Sequence, residues 1–166
     1  MEKINNLKGQ NQLPYYEEAY SKWNAMFNRI KHNITYKKVS IDAEWYTFSN
    51  FYNWYIDNRV GGWDLDKDMK GGNVYSADNC IMIPREVNLM FRCNYSTVGK
   101  GVGEQKNGKY QAQAKWNNKI YKFGTHDTIE QATAAYEAGR KNRLYDLSVQ
   151  YSQYTELSSI LYTLSK

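Results

Sequence analysis

Between Asp64 and Asn88 the chain places an acidic strand end (Asp64, Asp66, Asp68), a Gly71-Gly72-Asn73 turn and a short apolar strand at Cys80 to Ile83. Pro84 follows and can open a helix carrying Asn88. A carboxylate and a side-chain amide brought together by strand, strand and helix can hold a hard divalent cation such as Mg²⁺ or Mn²⁺ through oxygen. Such a cation stabilises charge on a phosphodiester under attack. Further along, between Ser96 and Thr125, six lysines stand against one acid, Glu104. A cationic strip of that kind suits a polyanion, most commonly nucleic acid. A solvated lysine surface would have the same composition.

These residues sit in a chain of 166 residues, long enough for one domain or two small ones. Hydrophobic residues make up 42%, without an apolar run near membrane-spanning length, so a folded domain is expected and a membrane partner is not. The 16 tyrosines and 5 tryptophans suit small cores and also contacts to bases or sugars. The first residues lack an apolar signal core, which points to a cytoplasmic protein. Cys80 and Cys93 lack metal-ligand spacing and are expected as free thiols in or near the core. Charge is uneven: residues 96–166 carry 10 Lys and Arg against 6 Asp and Glu, while residues 1–95 carry 12 against 11.

The elements that must position the site follow from periodicity. Residues 1–12 are polar and expected to be a flexible N-terminus. Ala19, Trp23, Met26, Phe27 and Ile30 recur at helical spacing and predict a helix over 14–31. Trp45, Phe48, Phe51, Tyr52 and Tyr55 predict a second helix over about 40–57. Both stripes read as core. Gly61-Gly62 ends that pattern and the acidic segment begins.

After about Asn94 the character changes. Asn107-Gly108 and Asn117-Asn118 are hairpin turns, because Asn and Gly tolerate positive φ. Tyr110 to Trp116 alternates with period two, and Ile120 to Phe123 makes a third strand. The two-residue Asn-Asn loop sets the register: Trp116 opposite Lys119, Lys115 opposite Ile120, Ala114 opposite Tyr121, Gln113 opposite Lys122 and Ala112 opposite Phe123. Gln113, Lys115 and Lys122 then share one face, where amides can read bases and cations can hold phosphates. Thr128 with Gln131 forms a capping box, and the following helix, rich in Ala132, Ala134, Ala135 and Ala138, is expected to pack closely on the other face. Tyr145–Lys166 reads as further helix with a break.

Two stretches carry a resemblance. Gly101-Val102, Gly108 to Ala112, Lys119, Phe123-Gly124-Thr125, Thr128 to Ala132 and Ala135 to Ala138 resemble an AP2-type DNA-binding domain over residues 101–141. That family lays its three-stranded sheet in the major groove. The resemblance carries base-reading positions to Gly103, Gln105, Gln113, Lys115, Ile120 and Lys122. Several family arginines are replaced here by Gly103, Gln105 and Ile120, which removes guanine readers. Backbone contacts are expected from Lys106, Lys109, Lys115, Lys119 and Lys122.

Residues 15–92 resemble phage-encoded HNH endonucleases of the His-Me finger class, some of which carry a C-terminal AP2-like domain. The match runs through Trp23 and Met26, Trp45, Phe48, Phe51 and Trp54, then Leu65 to Asp68, Val74 to Ser76, Asn79-Cys80, Ile83-Pro84 and Val87-Asn88. The resemblance implies Asp66 and Asn88 as ligands of Mg²⁺ or Mn²⁺, and Asn79 as the residue orienting the catalytic histidine. Here that histidine is Lys67. Neutral histidine activates water near pH 7, whereas a lysine ordinarily keeps its proton there. Lys67 could instead contact phosphate or stabilise developing negative charge. Asp68 is adjacent, but a continuing strand would turn it to the opposite face.

The expected architecture is therefore α+β: a helical region with a ββα-metal motif over residues 13–95, then an AP2-like sheet and helix over residues 96–166. Three functional readings are open. The chain is a metal-dependent DNA endonuclease with an altered base. Alternatively, it is an inactive HNH-like protein that binds double-stranded DNA or a host protein, such as a phage regulatory or anti-defence factor. Or it is a structural protein whose Asp66 and Asn88 serve a turn and a cap.

Overall fold

A computed structural model describes residues 1–91 and 98–166, so Cys93 and the expected boundary after residue 95 lie outside the described residues. The chain is α+β and divides into two compact units, Met1–Ile83 and Pro84–Lys166. Among the described residues no helix is long and apolar enough to cross a membrane.

In the first unit α1 spans Tyr16–His32 and buries Ala19, Trp23 and Met26, the stripe expected from its periodicity. The second expected helix is shorter. Ser40–Ile41 form a strand, β1, and Ala43–Tyr46 a 3₁₀ turn, and α2 begins only at Phe48 and ends at Asn58. Two local causes break the longer helix. The Asp42 carboxylate accepts a hydrogen bond from the Glu44 backbone N–H at 2.9 Å, closing a tight turn. Thr47 is extended and bridges to Ile4. The apolar face still works as expected, since Trp45, Phe48, Phe51, Tyr52 and Tyr55 are all buried. Their rings pack edge-on, tilted or, for Phe51 and Tyr55, stacked, with Trp23–Phe48 and Trp45–Phe51 centroids 5.0 Å apart.

The N-terminal segment, expected to be flexible, is docked. Ile4 exchanges backbone hydrogen bonds with Tyr46 and Phe48, both at 2.9 Å. Leu7 and Leu13 pack on the core, and the Lys3 ammonium lies 4.3 Å from the Trp23 ring centroid. Polarity in the sequence concealed this, because the anchors are scattered: Ile4 and Leu7, the Lys3 ammonium, the Asn5 and Asn6 amides and backbone groups.

Three further strands complete the unit: β2 (Asp64–Asp66), β3 (Val74–Tyr75) and β4 (Ile81–Ile83). β2 and β4 pair antiparallel, with Asp66 opposite Ile81. β3 pairs in parallel with β1, a link that two-residue strands do not announce in sequence.

In the second unit α3 (Arg85–Phe91) follows directly after Pro84. It was expected to close the N-terminal motif, yet it belongs compactly to the C-terminal half. Its Glu86 carboxylate accepts hydrogen bonds from Arg143 at 3.0 Å and from the Tyr151 hydroxyl at 2.6 Å. Strands β5 (Val102–Glu104), β6 (Tyr110–Trp116) and β7 (Lys119–His126) form an antiparallel sheet in that order. Asn117 and Asn118 both have positive φ (46° and 61°), as the hairpin requires. The register matches expectation from Trp116–Lys119 through Gln113–Lys122, then shifts, so Ala112 faces Gly124 rather than Phe123. Phe123 is the extra residue of a β-bulge.

α4 (Ile129–Gln150) starts at the expected cap, with the Thr128 hydroxyl accepting from Gln131 N–H at 3.2 Å. Ala132 is buried against the sheet, but Ala134 and Ala138 are exposed. Close approach comes instead from glycines. A Cβ on Gly139 would sit 2.2 Å from the Phe123 ring, and one on Gly101 would sit 2.1 Å from Tyr136. Trp116, Phe123 and Tyr136 fill the layer between, Phe123 and Tyr136 meeting edge-on at 6.0 Å. After a break at Tyr151–Tyr154, α5 (Thr155–Leu164) packs back on α4 and buries Leu157 and Leu161.

Candidate functional site

The acidic segment of the first unit turns its polar groups inward. β2 stops at Asp66, and the Asp66 Oδ1 accepts hydrogen bonds from the backbone N–H groups of Asp68 at 2.9 Å and Met69 at 2.8 Å. Burial holds the Asp66 carboxyl above the ordinary carboxylate range, against the lowering effect of those two N–H donors. Lys67 is only 4% exposed. Its ammonium meets the Asp68 carboxylate and lies 5.2 Å from the Tyr36 ring centroid and 5.8 Å from that of Tyr75. Asp68 was expected to point away from Lys67. The strand ends before it, so the turn brings the two side chains together.

Asn79 organises this turn from the opposite side. Its Nδ2 donates to the Lys67 carbonyl at 2.9 Å and to the Val74 carbonyl at 2.8 Å. Gly72 makes room for it, because a Cβ there would lie 2.2 Å from the Asn79 amide. Tyr75, buried beneath, receives a hydrogen bond from Arg29 at 3.3 Å. The sequence did not place Tyr36, Tyr75 or Arg29 beside this turn, since their position depends on the β1–β3 pairing and on α1. Cys80 is buried, which pushes its thiol up to about 12 and leaves it unreactive at neutral pH.

Asp66 offers one carboxylate, and one of its oxygens already serves two N–H groups. Among the described residues no three His, Cys, Asp or Glu side chains converge. Asn88 lies half-buried on α3, in the second unit, and its backbone N–H donates to Pro84 at 3.1 Å.

The sheet of the second unit has the opposite character. α4 covers the face bearing Val102, Ala112, Ala114 and Trp116. The other face carries Gln113 and Lys115 on β6 and Ile120 and Lys122 on β7, all exposed. Direct pairing puts Gln113 beside Lys122 and Lys115 beside Ile120. The same alternation adds Gln111 and Thr125, which pair with each other; period two makes Gln111 legible two residues before Gln113.

Other expected contact residues are placed differently. Lys119 pairs with Trp116, so it shares the helix-side face, with its ammonium 5.2 Å from the Tyr121 ring centroid. Lys109 forms an ion pair with Asp127 at 2.8 Å, which raises the lysine and lowers the aspartate from their ordinary ranges. Gln105 is half-buried in the turn, where its backbone N–H donates to Lys109 at 2.8 Å. Lys106 is exposed at the same turn, and Gly103 lies opposite Gln111. Compared with protein-family models, characterised proteins and solved structures, the chain matches none.

Proposed function

We propose that the chain binds double-stranded DNA through the open face of the β5-β6-β7 sheet. The observation that carries this reading is the exposed quartet Gln113, Lys115, Ile120 and Lys122, set side by side by hairpin register while α4 backs the sheet. Long cations on a fixed surface neutralise phosphates and release counterions, which gives affinity without sequence readout. A two- or three-stranded surface also fits the width of the major groove.

The alternative, hydrolysis of DNA at the Asp66–Asn79 segment, draws support from the Asn79 contact to the Lys67 backbone, where the resemblance would put the orienting asparagine. The chemistry favours binding over cleavage. The Lys67 ammonium is buried and already engaged by Asp68 and two aromatic rings, so little of it is presented to a water or a phosphate.

Binding is tested with Lys115→Ala plus Lys122→Ala and a fluorescent duplex titrated across a salt series. The double variant is expected to weaken binding and to flatten the plot of log affinity against log salt by about 2, since each phosphate that a lysine neutralises adds about 0.9 to the slope. An unchanged slope would remove the sheet face as the docking surface. Plasmid nicking with Mg²⁺ or Mn²⁺ tests the alternative. The expectation is no nicking by either wild type or Asp66→Ala; metal-dependent nicking by wild type alone would restore the endonuclease reading.

A further inference from the structure

We infer that the sheet face prefers A·T base pairs, with Gln113 and Ile120 as the reading residues; this rests on the DNA-binding reading above. The register sets out a chequerboard. Lys122 and Lys115 occupy one diagonal of the exposed face, and Gln113 and Ile120 occupy the other. Diagonal neighbours across antiparallel strands stand roughly 7–8 Å apart. At about 3.4 Å per base step, that spans about two steps.

The two diagonals differ in chemistry. Each lysine is a flexible stem ending in a point charge, suited to the phosphates that border a groove. Gln113 carries a planar amide with one donor and one acceptor edge, the pair that matches N6 and N7 of adenine. Ile120 is 58% exposed, an apolar branch amid cations and amides. A β-branched residue suits a strand, yet nothing on this face covers it among the described residues. In the major groove the matching apolar group is the C5 methyl of thymine, which only an A·T pair presents. Among the described residues neither an arginine to select guanine nor a carboxylate to select cytosine lies on this face, and the two lysines, which can also meet guanine, are assigned to the phosphates. The amide and the branched chain therefore both favour A·T, one through adenine and the other through thymine, at base pairs about two steps apart.

The test uses the full chain and three duplexes of equal length: one rich in A·T, one rich in G·C, and the A·T duplex with uracil replacing thymine. Wild type is expected to bind the A·T duplex about tenfold tighter than the G·C duplex. Uracil is expected to weaken wild type several-fold and to leave Ile120→Ala unchanged, because only the methyl has been removed. Gln113→Ala plus Ile120→Ala is expected to bind both duplexes alike while keeping the wild-type salt slope. Equal or tighter binding of the G·C duplex by wild type would overturn the inference and leave DNA binding standing. So would indifference to uracil, since the preference would then come from duplex shape. Failure to bind any duplex at low salt would overturn both the inference and the DNA-binding reading.

Discussion

The acidic turn of the first unit and the open sheet of the second hold polar side chains of similar kinds, amide and lysine in both and carboxylate in the turn. In the turn these groups satisfy the protein itself. Asp66 caps two backbone N–H groups, Asn79 ties two carbonyls, and Lys67 meets Asp68. On the sheet, Gln113, Lys115 and Lys122 face solvent. Residue type therefore does not separate a polar group engaged within the fold from one turned to solvent; the surroundings that the fold builds do. A buried donor or acceptor must be paired inside the fold, and once paired it has little left to offer a ligand.

The comparison is tested most severely by Asn79→Ala. It would leave the part-buried Lys67 carbonyl without its side-chain donor, at roughly 1–3 kcal/mol, and the exposed Val74 carbonyl to water. The chain should unfold at distinctly lower urea, while duplex affinity of the folded protein stays at the wild-type value. A parallel fall in affinity under conditions where the variant is fully folded would show that the two regions do not act separately.

Asp66→Asn asks for a smaller effect. The asparagine carbonyl can keep the two N–H contacts, so the cap survives. Because burial raises the Asp66 carboxyl in the folded state, its protonated form favours folding. Its contribution to stability is fully present below the unfolded carboxyl pKa and is lost as pH rises through the raised folded value. The variant should match wild type in acid and exceed it at neutral pH, read from urea melts across pH. A variant that loses stability at neutral pH would show that the carboxylate charge is needed where it lies.

The smallest effect is expected from Lys109→Ala. Its ammonium is already paired with Asp127, and the pair is exposed. Duplex affinity should change less than about twofold, against the much larger effect of Lys115→Ala plus Lys122→Ala. A salt slope reduced as much as by one of those lysines would place Lys109 on the docking surface too.

Much of the second unit was legible because its determinants are local. Asn117-Asn118 can take positive φ at both positions, and Thr128 with Gln131 can cap a helix, whatever surrounds them. From one turn and a period of two, the register and the exposed face followed. The apolar stripes of α1 and α2 were equally readable, although their ends were not.

Tertiary structure decided the rest. The bulge at Phe123 arises where the sheet meets α4, and Gly139, rather than the alanines, makes the close contact. Docking of Ile4 cuts the second helix short, and pairing of β1 with β3 brings Tyr36 and Tyr75 to Lys67. Each of these joins residues far apart in the chain, where spacing carries no signal. By itself the sequence determined which groups could do chemistry and which strands would present them. Only the packed fold decided that Asp66, Lys67 and Asn79 are spent on their own turn while Gln113, Lys115, Ile120 and Lys122 remain outside, because burial, not identity, sets what a polar group has left to bind.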